Sequence, residues 1–293
     1  MPCSRRQFIA FAAAGCVADL RLGAQAPPPA SITAQQLVDR IKTNLGAPWR
    51  EKTVDGFKAG DPATVVTGVV TTVSATVPVL QRAVAAGHNF VITQEPLFYS
   101  PNDEPGNRTS DPVFVAKKAL ITEKSLAVFR FSDHWSARQP NAMAAALAET
   151  LGWTQHRAPG PDEIYNVPPT TFAALQRHLR ERLVVRGGMR SVGSADMPVR
   201  TVLLSPGTTD LPGTVARLPR ADVIVAGEPR EWEVVPYVLD LRTAGHNKGL
   251  IALGRLLSEE PGMRACATWI KSFVPGLPVD TFAAGDPYWS PVP

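Results

Sequence analysis

Apolar residues along the chain follow two periodicities that alternate with each other. The β-branched run at residues 65–73 is typical of a buried strand, and residues 89–93 form a second run of this kind. Between the two runs, Val77, Leu80 and Val84 recur at helical spacing. A strand, a helix and a second strand in this order predict a βαβ unit, in which the strands are parallel and the crossover is right-handed.

The same alternation continues through the rest of the chain. It predicts helix 34–45 with Ser31 as its cap, helix 112–121, strand 127–131, helix 141–151, strands 201–204 and 222–226, helix 231–244, strand 250–253 and helix 261–273. An amphipathic helix lies between the two halves, with an apolar face of Phe172, Leu175, Leu179 and Leu183. We interpret these four residues as core rather than as a cofactor site. The predicted fold class is α/β.

The amino-terminal residues 1–26 have the three parts of a secretory signal. These parts are Arg5 and Arg6, the apolar run 8–14 and the small-residue cleavage site 24–26. The segment around the two arginines is similar to the twin-arginine export motif, so we predict a periplasmic or exported protein with a proline-rich linker at residues 27–33. The alternative is a lipid anchor at Cys16, because the residues before it resemble a weak lipoprotein box.

Composition excludes several classes of protein. The chain has 293 residues, of which 44% are apolar and 19% charged, so it is not disordered as a whole. No window approaches the roughly 18 to 20 consecutive apolar residues that a membrane span needs. The net charge of +4 is small and dispersed, which argues against a nucleic-acid partner. Signal cleavage would leave Cys266 as the only cysteine, so no internal disulfide is expected.

Polar and charged residues follow four of the predicted strands at their carboxyl ends, where open α/β sheets bind ligands. They are Gln94 and Glu95, the segment 132–136, Glu228 with Arg230 and Glu231, and Arg255 with Glu259 and Glu260. Carboxylates and imidazole are ligand types that divalent metals accept, and arginines bind phosphate. A structural alternative stays open, because acidic residues also stabilise the amino termini of helices, which would account for Glu231, Glu259 and Glu260.

Three of these segments resemble a known family. They are residues 54–62 (VDGFKAGDP), 91–98 (VITQEPLF) and 254–259 (GRLLSE). In this order and spacing they resemble the NGG-interacting-factor-three-like dinuclear metal-centre family, also called GTP cyclohydrolase I type 2 homologues, over about residues 35–290. The closing segments 275–279 and 285–289 resemble the exported branch of that family, which carries a twin-arginine signal.

The resemblance implies a two-lobed α/β protein with mostly parallel sheets flanked by helices. It further implies a homo-oligomer, often a hexameric ring, with two divalent metals in a cleft between the lobes. On this basis residues 34–160 are expected to form the first lobe, 161–200 a connecting helix and linker, and 201–293 the second lobe.

The family's metal ligands are largely replaced in this chain. By the resemblance, the ligand positions fall on Gln94, Glu95, Ser132, Ser136, Arg255 and Glu259. Only Glu259 keeps the residue type of the family, although Glu95 is a plausible substitute ligand. Asp133 and His134 lie between the two serines and are candidate replacements. Arg255 is permanently cationic and cannot ligate a metal, so we expect it to pair with nearby carboxylates instead. The dinuclear site is therefore predicted to be degraded.

The hypothesis we favour at this point is a metal-poor or metal-free protein that binds a small molecule or an anion. Its expected ligand contacts are Arg230, Arg255 and Glu228.

Two alternatives remain open. One is a metal-dependent, hydrolase-like enzyme in which a single residual divalent ion (Zn, Mn, Fe or Mg) activates water. The ligands of that ion would be Glu95, Asp133, His134 and Glu259. The other is a structural oligomer whose cleft is vestigial.

Overall fold

A computed structural model describes residues 31–185 and 188–288 of the chain. The predicted signal segment 1–26, with Cys16, and most of the linker 27–33 lie outside the described residues, so export and lipid anchoring stay predictions. Within the described ranges, none of the helices combines the length and the apolar character needed to cross a bilayer.

Strands and helices alternate along the described chain, as expected for an α/β protein. The strands are β1 (Gly56–Ala59), β2 (Val69–Thr72), β3 (Phe90–Thr93), β4 (Ala127–Arg130), β5 (Ile164–Thr171), β6 (Arg190–Val192), β7 (Pro198–Thr209), β8 (Val223–Pro229), β9 (Gly249–Ala252) and β10 (Val279–Thr281). The helices are α1 (Ala34–Asn44), α2 (Val77–Ala85), α3 (Pro112–Glu123), α4 (Asp133–Ser136), α5 (Ala142–Thr150), α6 (Phe172–Leu183), α7 (Leu211–Arg217), α8 (Val234–Thr243) and α9 (Arg255–Lys271).

The first sheet has the strand order β1-β4-β3-β2-β10. Strands β4, β3, β2 and β10 are parallel to their neighbours, and β1 adds an antiparallel edge. Alternate residues of β3 face opposite layers: Phe90 and Ile92 pack in the core that contains α1 and α9, and Val91 packs in the core that contains α2 and α3. Because both faces are covered, the central strands are apolar throughout, which is why their sequence runs are continuous rather than alternating.

The second sheet has the strand order β5-β7-β8-β9-β6. Its three central strands are parallel and its two edge strands are antiparallel. Helix α6 buries Phe172, Leu175, Leu179 and Leu183 against one face of this sheet, so their interpretation as core is confirmed. The opposite face packs against α8 through Val234 and Val238. The predicted α/β class, with two mostly parallel sheets flanked by helices, is confirmed.

Helix α9 lies between the two sheets and contacts both. It packs on β2 and β10 of the first sheet, on β7 and β8 of the second, and along α5. Its buried residues Met263, Cys266 and Ile270 belong to the core of the first sheet. The first turns of α9 therefore lie at the carboxyl ends of β7 and β8, which is where the candidate site is assembled.

The start of α9 differs from the prediction. The helix begins at Arg255, six residues before the predicted Pro261, which lies inside the helix and is buried. A proline usually marks a first helical turn because it lacks an N–H group, but the chain has already turned at Gly254, whose φ of 90° lies in the left-handed region. Residues predicted as a loop after β9 thus project from a helix.

The predicted boundaries of the lobes also differ from the structure. Strand β10 returns to the first sheet and pairs with β2, although it was assigned to the second lobe. The predicted connecting segment 161–200 holds β5, α6 and β6 together with the start of β7, which all belong to the second sheet or pack on it. At the amino terminus, α1 is capped by Thr33 and Gln36 in a reciprocal capping box rather than by Ser31.

Gly227 allows β8 to approach β7 and α9 closely, and this contact generates a prediction. A Cβ at position 227 would lie 2.5 Å from the backbone oxygen of Gly207 and 2.7 Å from its nitrogen. Gly227→Ala should therefore lower the free energy of unfolding by about 3 kcal/mol, measured by denaturant titration.

Gly245→Ala is the control for this prediction. Nothing lies within 4 Å of its added Cβ, and its φ of 89° alone would cost about 1 kcal/mol. Equal losses in the two variants would contradict the close-packing argument.

Candidate functional site

Arg255 lies at the centre of the candidate site, on the first turn of α9. Its Nε donates to Glu95 Oε1 at 2.6 Å and lies 3.5 Å from Glu259 Oε2. Its Nη1 donates to Glu228 Oε2 at 3.1 Å and to Thr208 Oγ1 at 2.7 Å. One guanidinium therefore joins three carboxylates that come from the ends of β3 and β8 and from α9 itself. The expectation that Arg255 pairs with carboxylates is met in this geometry.

The charge of Arg255 is stabilised by these neighbours. Burial lowers the pKa of the guanidinium, but the negative charges of Glu95 and Glu259 outweigh burial, and the pKa lies above its ordinary value. Ion pairs between a guanidinium and carboxylates become stronger when they are partly removed from water. The side chain of Arg255 is about one third exposed (35%), so the cluster stands at the boundary between the interior and solvent.

Glu259 is the buried member of the cluster. Its side chain is 5% exposed, one helical turn after Arg255. Burial, followed by the charge of Glu95, raises its pKa to about 8. Its Oε1 accepts a hydrogen bond from Gln94 Nε2 at 3.3 Å, and its Oε2 has no hydrogen-bond partner among the described residues. Burial and the charge of Glu95 thus both favour the protonated form of this carboxyl group, whereas Arg255 favours the ionised form.

Gln94 and Ser136 lie beside Glu259. The Gln94 amide nitrogen is 3.5 Å from Ser136 Oγ, while its oxygen has no hydrogen-bond partner in the described part of the chain. Ser132 precedes the short helix α4, and its backbone N–H donates to Asp55. The structure thus brings Gln94, Glu95, Ser136, Arg255 and Glu259 together.

The two candidate replacement ligands are held in a different set of contacts. His134 Nδ1 lies 2.7 Å from Asp55 Oδ2, and its Nε2 accepts a hydrogen bond from the backbone N–H of Arg50 at 2.9 Å. The second bond makes Nε2 an acceptor, so the proton of the neutral ring is on Nδ1. Both ring nitrogens are therefore occupied, and the ring is stacked on Trp49 with centroids 3.8 Å apart.

The carboxylate of Asp133 is also engaged in hydrogen bonds. Its Oδ2 accepts hydrogen bonds from Thr53 Oγ1 at 2.9 Å and from the backbone N–H of Val54 at 3.1 Å. No hydrogen bond or ion pair joins Asp133 or His134 to Glu95 or Glu259 among the described residues. The structure therefore does not bring the four predicted metal ligands together. Within residues 31–185 and 188–288, no three His, Cys, Asp or Glu side chains form a group suited to a metal ion.

Asp55 is a residue of this region that the sequence analysis did not select. Its carboxylate accepts the backbone N–H groups of Ser132, Asp133 and His134 as well as the His134 ring. It therefore anchors α4 beside the cluster. The segment 54–62 that contains Asp55 was noted for its resemblance, but nothing in the local sequence indicates a partner about 79 residues away. Thr208 was missed for the same reason, since it lies 47 residues before Arg255.

Of the residues predicted to contact an anion, Glu228 lies in the cluster around Arg255 and Arg230 does not. Glu228 lies in the cluster with its side chain 59% exposed. Arg230 is half exposed and pairs with Glu233 at 3.5 Å, without an ion pair to Glu95, Glu228 or Glu259. Arg230 is also absent from the lining of the cleft described next.

A cleft of about 620 Å³ opens beside Arg255 and Glu228. Its apolar wall includes Leu256, Leu257 and Pro287, and Tyr288 stands at its side. Glu231 and Arg190, which form an ion pair with each other, also line it. This volume is in the range of small-molecule sites, which combine apolar walls with a few placed polar groups.

The family model for Duf34/NIF3 (NGG1p interacting factor 3) matches residues 35–281 of the chain. The protein therefore belongs to the Duf34/NIF3 family. A comparison with curated proteins gives no match.

Several solved structures are similar to the chain. The hypothetical protein SA1388 of Staphylococcus aureus is 15% identical, covers 89% of this chain and 99% of its own, and has a TM-score of 0.71. A Bacillus cereus protein related to NIF3 is 15% identical over 88% of this chain and 99% of its own, with a TM-score of 0.68. HcgD of Methanocaldococcus jannaschii, in its reduced form, is 15% identical over 86% and 98%, with a TM-score of 0.61. At these identities the likeness establishes the fold alone.

The raised pKa of Glu259 generates a prediction about pH. The folded protein holds a proton on Glu259 up to a pKa of about 8, whereas the unfolded chain releases it near pH 4.5. The free energy of unfolding should therefore fall as pH rises between these values. Glu259→Gln, which mimics the protonated acid, should remove roughly 1–3 kcal/mol of that fall between about pH 5 and 8, measured by denaturant titration across the range.

Glu260→Gln is the matched control, because Glu260 is the next residue on α9 and is not part of the cluster. It should keep the pH profile of the wild type. If the free energy of unfolding depends on pH in the same way for the wild type and Glu259→Gln, the pKa of Glu259 is the same in the folded and unfolded chains. That result would contradict the prediction.

Proposed function

We propose that the protein is a metal-free member of its family whose cleft binds an organic small molecule. In this proposal the guanidinium of Arg255 supplies the positive charge that the family carries as metal ions. The observation that supports it is the position of Arg255 Nε and Nη1 within 2.6–3.5 Å of Glu95, Glu228 and Glu259.

The donor set does not fit a pair of divalent ions. Three of the family's four histidine positions carry an amide at Gln94, a hydroxyl at Ser132 and a permanent cation at Arg255, and none of these is a strong ligand. The fourth carries Glu95, a carboxylate that can ligate a metal but is hydrogen-bonded to Arg255. His134, the histidine of α4, has both ring nitrogens in hydrogen bonds. A metal between Glu95 and Glu259 would also stand against the guanidinium, and like charges at such a distance repel strongly in a partly buried site.

The charges around the cleft favour a neutral or cationic ligand. The charged residues that line the cleft are three acids (Glu228, Glu231 and Asp286) and two arginines (Arg190 and Arg255), and Glu95 adds a further negative charge against Arg255. Arg255 Nε and Nη1 are engaged by Glu95, Glu228 and Thr208, so only Nη2 has no hydrogen-bond partner among the described residues. The cleft therefore supports recognition of an apolar molecule with an amine or another hydrogen-bond donor, rather than the anion expected from the sequence.

A second candidate is the hydrolase-like protein with one residual metal. The observation in its favour is the pair of buried oxygens, Gln94 Oε1 and Glu259 Oε2, that have no hydrogen-bond partner among the described residues. Buried polar atoms are usually satisfied by protein, water or an ion. In this candidate the metal would lie beside the guanidinium of Arg255 and compete with it for the carboxylates of Glu95 and Glu259.

Assembly as a homo-oligomer, a hexamer by resemblance, is a further proposal, which light scattering of the purified protein tests.

Metal analysis tests the proposal directly. Wild-type protein purified without chelator after growth in medium rich in Zn, Mn and Fe should contain well under about 0.1 metal per chain. Arg255→His should gain a site, since it replaces the cation with an imidazole ligand beside Glu95 and Glu259, and should approach about one metal per chain.

The matched control is Arg230→His. It introduces an imidazole in the turn after β8, away from the cluster, and should stay metal-free. A stoichiometric metal in wild-type protein that is lost in Glu259→Ala would overturn the metal-free proposal and favour the second candidate. Equal metal content in Arg255→His and Arg230→His would show that Arg255 is not the residue that keeps metal out of the site.

Ligand charge is tested with two probes of matched size. Phenethylamine should raise the melting temperature of the wild type in a thermal-shift titration, whereas 3-phenylpropanoate should not, because the cleft carries excess negative charge. Glu228→Gln should weaken the amine effect at least about threefold, and Glu123→Gln, on the distant helix α3, should leave it unchanged. A stronger effect of the carboxylate would contradict the proposed ligand class.

A further inference from the structure

A cavity of about 320 Å³ lies at the β5 edge of the second sheet. Helix α6 and the turn after α5 form its other sides. The cleft beside Arg255 is lined instead by β6 and by the carboxyl ends of β8 and β9, and the two spaces share no lining residue. None of the residues that line the β5-edge cavity stands at one of the family's ligand positions. It is therefore separate from the site described above.

A bulge in β5 accounts for the space. Residues 167–169 of β5 lie opposite a single residue of β7, because the register shifts within this segment. Pro168 and Pro169 have no N–H group to donate to the ladder, and a bulge bends the strand that carries it. All three bulge residues line the cavity, together with Leu151 and Leu175. The cavity thus has an apolar wall that can contact the organic part of a ligand.

Arg182, in the last turn of α6, brings a permanent positive charge to this cavity. Its Nη2 would lie 3.7 Å from a Cβ on Gly152, which also lines the cavity, so the guanidinium borders the space and not only its aliphatic stem. No hydrogen bond or ion pair joins Arg182 to another described residue. Glu260, which shares a neighbouring depression with Arg182, accepts from the backbone N–H of Gly285 instead. The charge of Arg182 is therefore uncompensated.

Two histidines add hydrogen-bonding nitrogens to the cavity. His178 Nε2 lies 2.9 Å from the backbone oxygen of Leu151, which can only accept, so Nε2 carries a hydrogen and Nδ1 remains available. The ring is stacked on Trp153, with centroids 5.5 Å apart and an interplanar angle of 12°. The side chain of His156 forms no hydrogen bond with the described part of the chain. Histidine can become cationic near neutral pH, whereas no Asp or Glu is among the described residues that line this cavity.

These groups suit a phosphate monoester better than a carboxylate. A phosphate monoester has three terminal oxygens and a charge near −2 at neutral pH, which one arginine and two histidines can match. A carboxylate offers two oxygens and a single charge to the same groups. The volume of the cavity is in the range of small-molecule sites, so an organic group can lie against the apolar wall while the phosphate lies at Arg182.

We propose that the β5-edge cavity binds a small phosphate monoester, with its phosphate on Arg182, His156 and His178 and its organic group on the bulge of β5. The proposal goes beyond the function proposed for the cleft, because the two sites share no residue and favour ligands of opposite charge. It also does not depend on whether the protein holds a metal.

The experiment is isothermal titration of the protein in phosphate-free buffer at neutral pH with phenyl phosphate, benzoate and inorganic phosphate. Phenyl phosphate should bind saturably with a dissociation constant below about 1 mM. Benzoate, which has the same ring but one oxygen and about one charge fewer, should bind at least about tenfold more weakly. Inorganic phosphate should bind at least about threefold more weakly, because it has no apolar group to bury.

Arg182→Gln should weaken phenyl phosphate binding at least about tenfold, because it removes a charge-assisted hydrogen bond and the permanent charge. Arg180→Gln is the matched control. It removes the same charge from the same last turn of α6, but Arg180 does not line the cavity, so this variant should bind like the wild type. His156→Gln should weaken binding at least about threefold, because it removes a group that can carry charge.

The proposal is overturned if phenyl phosphate does not bind with a dissociation constant below about 1 mM, or if benzoate or inorganic phosphate binds as tightly. It is also overturned if Arg182→Gln and Arg180→Gln bind phenyl phosphate equally well. The effect of phenethylamine on the melting temperature should be the same in Arg182→Gln as in the wild type. Failure of this proposal can therefore be distinguished from failure of the function proposed for the cleft.

Discussion

The close docking of α9 onto the ends of β7 and β8 is the constraint from which the site follows. Gly207 and Gly227 leave no side chain between the strands and the helix; a Cβ on Gly207 would lie 2.8 Å from Glu259 Oε1. This approach brings Glu259 into the interior and points Arg255 along the strand ends toward Glu95 and Glu228. The ion-pair cluster is therefore a consequence of backbone geometry at two glycines.

Burial and charge then act against each other within the cluster. A carboxylate that is removed from water is costly unless a cation or a proton compensates it. Arg255 compensates Glu95 and Glu228 at the solvent boundary, whereas Glu259 is deeper by one helical turn, and its burial raises its pKa. The three acidic groups share one guanidinium, so the cleft has an excess of negative charge.

The sequence predicted the fold class and most of the buried elements because their signals are local. The helix bearing Phe172 and Leu179 and the runs containing Val69–Thr72 and Phe90–Thr93 were identified from periodicity alone. Short edge strands such as β6 and β10 were missed, since three residues carry no periodicity and their pairing depends on distant strands. The early start of α9 was missed because Pro261 is a stronger local signal than Gly254. The resemblance brought Gln94, Glu95, Arg255 and Glu259 together correctly, but it could not assign His134, whose partners Asp55 and Arg50 are about 80 residues away.

Glu259 shows how the fold and the charge cluster depend on each other. Its carboxyl group lies one helical turn after Arg255, and its side chain is 5% exposed. Its Oε2 has no hydrogen-bond partner among the described residues and lies 3.5 Å from Arg255 Nε, so this oxygen faces the guanidinium. Burial and the charge of Glu95 raise the pKa of Glu259, whereas the charge of Arg255 lowers it. The charge of Glu259 is therefore set by the balance between its burial and its two charged neighbours.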